Sequence, residues 1–182
     1  MMNNVVKVID ETIKYIWEYD IKNDYQNGWL LREDTLKNAF YHYLRSKLAS
    51  LFDENNIRIF TEYTQGEFAR TGKRPDMVIA ETGEGKKCVC IIEFKYKYGY
   101  NTANEIYKDY EKLREYVEEH NIDCKLYMAT IWEYEDDPTF WERKNAAWAK
   151  DRLTELNASY DRHTGKMNFY ICEHKSERCK YK

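Results

Sequence analysis

The chain has 182 residues, 43% of them hydrophobic and 34% charged, with a formal net charge of −3. That length fits one domain with its own core, and the mildly acidic balance excludes the strongly basic footprint of a dedicated nucleic-acid coat protein. No run approaches the ~18 apolar residues of a membrane span, and no apolar leader-like stretch opens the chain, so a soluble cytoplasmic protein is expected.

Val5 to Tyr19 is predicted helical, because Val5, Val8, Ile9, Thr12, Ile13 and Ile16 recur at three- and four-residue spacing. Asn23 to Gly28 reads as a polar break. A second helix is expected from about Glu33 to Phe52, with Leu36, Phe40, Tyr43, Leu44, Leu48 and Leu51 on its stripe. Ile57 to Tyr63 alternates as a strand, and Gln65 to Lys73 is a polar loop. Pro75 to Glu81 is the next strand, turned by Gly83 and Gly85 into a central strand from Lys87 to Tyr96. After Gly99, Asn101 or Thr102 is placed to cap a helix carrying Ala103, Ile106, Tyr107, Tyr110, Leu113 and Val117. Cys124 to Ile131 reads as a buried strand. Pro138 to about Asn157 reads as a helix with Phe140, Trp141, Ala147, Trp148 and Leu156 on one side. Lys166 to Cys172 is a final strand, followed by a charged tail.

The order is helix, three strands, helix, strand, helix, strand. It predicts an α/β fold with a mixed central sheet and helices on both faces. The whole chain, 1–182, is expected to be one domain. Residues 1–30 are a helical addition, 33–133 the core, and 138–173 a C-terminal helix and strand.

Two segments carry the chemistry. Pro75-Asp76 opens one strand, and Glu93-Phe94-Lys95 lies in the central strand, seventeen residues after Asp76. Glu93 and Lys95 share a face, since strand side chains alternate with period two. The run from Cys88 to Phe94 is almost wholly apolar, as in a strand buried on both faces. Charges there are costly unless paired or bound to an ion. Two acids on neighbouring strands can hold a divalent metal, with a lysine beside them. The plain alternative is a buried Glu93–Lys95 ion pair, with Asp76 capping a turn.

These residues resemble the PD-(D/E)XK nuclease superfamily, whose motif reads here as Pro75-Asp76 and Glu93-Phe94-Lys95. The αβββαβ order of the superfamily's restriction-endonuclease-like core also matches the predicted elements. The resemblance implies Mg²⁺- or Mn²⁺-dependent hydrolysis of phosphodiester bonds in DNA. It implies Asp76, Glu93 and the Phe94 backbone carbonyl as metal ligands, and Lys95 as the group that orients water or neutralises developing charge. Many members add an acid from the first core helix or first strand. Glu62 is the first candidate here, with Asp34 or Glu33 second. Acids in a first helical turn also suit the macrodipole, and Asp34 could cap the helix. Arg70, Lys73, Arg74 and Lys97 are placed to contact phosphates, as are Lys108 and Lys112, although surface solvation explains the last two equally well. The resemblance also leaves room for a homodimer or partner protein, and for a catalytically inactive module that binds nucleic acid or protein. An unrelated α/β protein with an aromatic-rich binding surface is the third alternative.

Cysteines 88, 90, 124, 172 and 179 lack zinc spacing and are expected to be reduced thiols. His42, His120, His163 and His174 are scattered, with no pair at metal-ligand spacing.

Overall fold

Apolar residues recur every third or fourth position near the N-terminus, and the backbone of the computed structural model follows them. It describes residues 2–65, 68–69, 71–83, 87–97, 103–133, 148–149 and 151–174. Helix α1 (Met2–Tyr15) buries Val5, Ile9 and Ile13. The chain then widens into a π-helical turn, Ile16–Ile21, and continues as α2, Lys22–Gln26. The expected polar break at Asn23 is therefore corrected. Asp24 is buried within the helix because Tyr43 Oη donates to its Oδ1 at 2.8 Å, so the polar residue is satisfied there. The reversal comes at Gly28, whose φ of 72° is left-handed.

Helix α3 (Glu33–Glu54) buries Leu36, Phe40, Leu44, Leu48 and Phe52, an i, i+4 stripe. Thr35 ties its start, accepting from the Leu31 and Arg32 amides at 3.0 and 3.1 Å. Thr35 thus fills the capping role expected of Asp34, which is exposed.

Among the described residues, six strands form one open mixed sheet in sequence order. They are β1 (Ile57–Thr61), β2 (Met77–Glu81), β3 (Cys88–Lys97), β4 (Lys125–Trp132), β5 (Leu153–Asp161) and β6 (Lys166–Glu173), with α4 (Ala103–Glu118) between β3 and β4. β1, β2 and β3 run antiparallel in turn. β3, β4 and β5 are parallel, as the α4 crossover between β3 and β4 requires, and β6 returns antiparallel to β5.

Strand β5 overturns part of the predicted C-terminal helix. Residues 138–147 and 150 of that stretch lie outside the described residues. From Leu153 onward the chain is strand, not helix. Leu153 through Ala158 are all buried, polar members included, so no polar–apolar alternation marks the strand. Its pairing to β4 on one side and β6 on the other outweighs the helical spacing of Trp148 and Leu156.

The two faces of β3 serve different layers. Cys90, Ile92, Phe94 and Tyr96 pack with α1, the π-helical turn and α3. Ile91 packs with Ile106, Leu113 and Tyr116 of α4. A register shift opposite Ile79 and Ala80 leaves Val89 as an extra residue, so Cys88 and Cys90 fall in opposite layers. Glu93 and Lys95 continue the row of Ile91 and therefore lie on the α4 side of the sheet. Among the described residues no helix is long and apolar enough to cross a membrane.

Candidate functional site: a carboxylate–lysine cluster

The pairing of Met77 with Ile92, extended by one residue, sets Asp76 opposite Glu93. The Phe94 amide donates to Asp76 Oδ2 at 2.8 Å, which anchors the carboxylate where the two strands meet. Asp76 is half-buried and Glu93 is 0% exposed. Pro75, just before Asp76, is itself buried and starts the turn into β2.

Two ammonium groups lie in the same cluster, one of them paired to Glu93. Lys95 Nζ lies 2.9 Å from Asp109 Oδ2 and 3.4 Å from Glu33 Oε2. Lys112 Nζ lies 2.7 Å from Glu93 Oε2. Glu33 comes from the first turn of α3, while Asp109 and Lys112 stand three residues apart on α4, hence on one side of that helix. The cluster therefore joins α3, β2, β3 and α4 at one place.

The charges are not balanced. Glu33, Asp76, Glu93 and Asp109 supply four carboxylates, and Lys95 and Lys112 two cations, so two negative charges remain when all are ionised. Burial pushes the Glu93 carboxyl well above the ordinary range, and the charge of Asp76 adds to this, with Lys112 only partly offsetting both. Glu33 is raised by burial first, with Lys95 opposing and Asp76 and Asp109 reinforcing the shift. For Lys95, burial is the largest single influence and acts downward. The hydrogen bond and charge of Asp109, with Glu33 and Asp76, outweigh it and hold the ammonium charged.

The other residues singled out in the sequence lie further from this centre. Glu62 is exposed, with a φ of 50°, and its carboxylate takes Lys37 Nζ at 2.7 Å. Its backbone amide bonds the Asp76 carbonyl at 3.2 Å, so it flanks the cluster without its carboxylate reaching Lys95 in the way that of Glu33 does. Asp34 is exposed near Lys37. Lys73 is bound to Glu115, Arg74 is exposed, and Lys97 is half-buried at the end of β3. Arg70 lies outside the described residues. Lys108 is exposed, while Lys112 enters the cluster.

Asp109 is the acid that sequence periodicity passed over. Its signal was present, because Ile106, Asp109, Tyr110 and Leu113 occupy consecutive positions of one buried stripe. A carboxylate in a stripe otherwise made of apolar and aromatic residues requires a partner, and Lys95 is that partner.

Among the described residues, one group of three metal-ligating side chains brings its ligand atoms within 4.8 Å of one another, namely Glu155, Cys172 and His174. Asp76, Glu93 and a third acid do not form such a group. No protein-family model, curated protein or solved structure matches the chain. Fold and site together define an α/β protein whose open six-stranded sheet carries a semi-buried carboxylate–lysine cluster, with Glu93 and Lys95 on the face covered by α4.

Proposed function

We propose that the chain is a metal-dependent nuclease that hydrolyses phosphodiester bonds in DNA, built on a restriction-endonuclease-like core of α3, β1 to β3, α4 and β4. The observation that carries this reading is the placement of Asp76 opposite Glu93 on adjacent strands, with Lys95 two residues further along. The donor set fits a hard divalent cation. It consists of carboxylate oxygens, it is short of two positive charges when all its groups are ionised, and Glu93 Oε1 is buried without a hydrogen-bond donor. Asp76, Glu93 and the Phe94 carbonyl would hold Mg²⁺ or Mn²⁺, which would supply Lewis-acid neutralisation of the phosphate charge.

The chain's own residues then have defined tasks. Asp109 and Glu33 keep Lys95 charged and aimed, so its ammonium can orient water and meet negative charge as it develops. Lys112 holds the charge of Glu93 while no ion is bound. Trp29 and Leu31, 65% and 62% exposed, precede Glu33, and Tyr107, 41% exposed, precedes Asp109. Trp29 and Tyr107 are exposed aromatic rings of the kind on which nucleic-acid bases stack without regard to sequence.

The test is cleavage of plasmid DNA and of labelled RNA in Mg²⁺, in Mn²⁺ and in chelator. Metal-dependent cutting that is lost in Asp76→Ala, Glu93→Ala and Lys95→Ala supports the proposal. No cutting of either polymer with either metal sinks it. A second reading, a catalytically inactive module that binds nucleic acid or a partner, draws on the Lys112–Glu93 pair and on the lack of a three-acid set within 4.8 Å among the described residues. Calorimetry distinguishes the two, since an inactive module retains its partner and takes up no divalent ion.

A further inference from the structure

Two strands beyond Glu93 the sheet gathers a second set of ligand-type side chains. Glu93 is in register with Met128, Met128 with Glu155, and Glu155 with Cys172, so these four form one row on the α4 face. With strands about 4.8 Å apart, Glu155 stands roughly 10 Å along that row from Glu93. Buried Met128 separates them. His174 lies two residues after Cys172, and its amide donates to the Leu153 carbonyl at 3.0 Å, which fixes it beside β5.

One ligand atom each from Glu155, Cys172 and His174 falls within 4.8 Å of the others, and His174 Nε2 is 3.1 Å from Glu155 Oε1. Glu155 is 1% and His174 8% exposed. Tyr110 donates its hydroxyl to Glu155 Oε1 from α4. A histidine–carboxylate pair alone leaves Glu155 Oε2 buried without a donor.

We infer that Glu155, Cys172 and His174 form a site for a zinc-type divalent transition metal, separate from the Asp76–Glu93 pair and of different ligand chemistry. Thiolate, imidazole and carboxylate are the ligand types that Zn²⁺ takes, whereas an all-oxygen set favours Mg²⁺. Zinc bonds of about 2.0–2.3 Å place tetrahedral ligand atoms roughly 3.3–3.8 Å apart. The 3.1 Å His174–Glu155 separation lies just below that span, and the 4.8 Å envelope needs about one ångström of closure. Binding releases the Cys172 thiol proton and uses neutral His174. Tyr110 orients the carboxylate from outside the shell, as hydrogen-bond partners of metal ligands generally do. The ion would tie β5 to β6 and to the residue following it, with the fourth tetrahedral position left to water.

The test uses the full chain, stripped with chelator and titrated with Co²⁺ as a spectroscopic stand-in for Zn²⁺. The expected result is a thiolate-to-metal charge-transfer band that saturates at one equivalent of Co²⁺ and is displaced by Zn²⁺, and a melting temperature that rises with Zn²⁺. Cys172→Ser and His174→Ala should each lose the band, and Glu155→Gln should weaken binding at least tenfold by the usual scale of ligand-sphere changes. Cys124→Ser and Asp76→Asn should keep it. Absence of the band in the wild-type chain, or its survival in Cys172→Ser, overturns the site. Loss of the band in Cys124→Ser instead would move the ligand elsewhere and overturn it equally.

Discussion

Lys112 Nζ lies 2.7 Å from Oε2 of Glu93, a carboxylate with no exposure to solvent, so an α4 lysine stands where a cation would balance that charge. The other carboxylate oxygen of Glu93 is buried without a hydrogen-bond donor. One oxygen is thus satisfied from within the fold and the other is not. A divalent ion shared with Asp76 would satisfy both at once.

Lys112→Met should therefore behave differently with and without metal. Removing one partner of a buried ion pair costs roughly 3–5 kcal/mol, less where the abandoned carboxyl can protonate. The loss should be measured by urea titration in chelator near pH 8. A bound ion at a hundred times its Kd returns about 2.7 kcal/mol. Mn²⁺ should consequently stabilise Lys112→Met more than wild type, because the ion no longer competes with an ammonium group. Equal stabilisation of the two proteins by Mn²⁺ would count against an ion on Glu93.

The raised Glu93 carboxyl makes a claim about pH. In the folded state the group holds its proton above the ordinary value of 4.5, so between 4.5 and its folded pKa the native state binds more protons than the unfolded one. The group's contribution is present in full below 4.5 and is lost as pH rises through the raised pKa. Every tenfold gain in proton affinity on folding corresponds to about 1.4 kcal/mol lost in this way. Glu93→Gln removes this loss, so in chelator the variant should gain stability relative to wild type between pH 4.5 and pH 8. Metal affinity of the wild type should rise over the same interval, because the ion and the proton compete for one carboxyl. Flat stability and affinity differences across these pH values would disprove the assignment.

Much of this was legible in the chain. The Cys88 to Phe94 run marked a doubly buried strand, and two charges of opposite sign at its end marked the site. What sequence spacing could not supply was register. Asp109 pairs with Lys95 only because α4 crosses that row of β3, and Lys112 reaches Glu93 for the same reason. Cys172 and His174 share a face by simple alternation, yet Glu155 joins them only through the β5–β6 pairing. That strand was itself hidden by its buried polar residues, Thr154, Glu155 and Asn157, which break the apolar run and let it read as the end of the helix expected from Pro138 to about Asn157.

Glu33 and Glu62 can be separated by their partners. Glu33 touches Lys95 at 3.4 Å, whereas Glu62 binds Lys37 with its side chain 43% exposed. Glu33→Gln removes one of the two acids that position Lys95, and should slow the proposed metal-dependent DNA cleavage by about 10–100-fold, the scale seen for groups that orient a functional residue. Glu62→Gln should change the rate little, since exposed ion pairs contribute about 0–1 kcal/mol. Single-turnover cleavage rates at saturating Mn²⁺ measure both. The reverse ranking would place the additional acid just after β1, at Glu62.

Asp76 has two duties that different substitutions pull apart. Its Oδ2 accepts the Phe94 amide at 2.8 Å, and its charge acts on Glu33, Glu93 and Lys95. Asp76→Asn retains a carbonyl oxygen for the amide and discards the charge. The Glu93 carboxyl should then fall back towards the ordinary range, because one of the causes of its elevation is gone. Fold stability in chelator should hold or rise. Asp76→Ala discards the acceptor as well and leaves the Phe94 amide without its partner, a loss of about 1–3 kcal/mol. Both variants should lose Mn²⁺ binding in calorimetry, and only Asp76→Ala should lose stability. If Asp76→Asn still binds the ion as wild type does, the carboxylate serves the strand junction alone and the proposed nuclease loses its metal ligand.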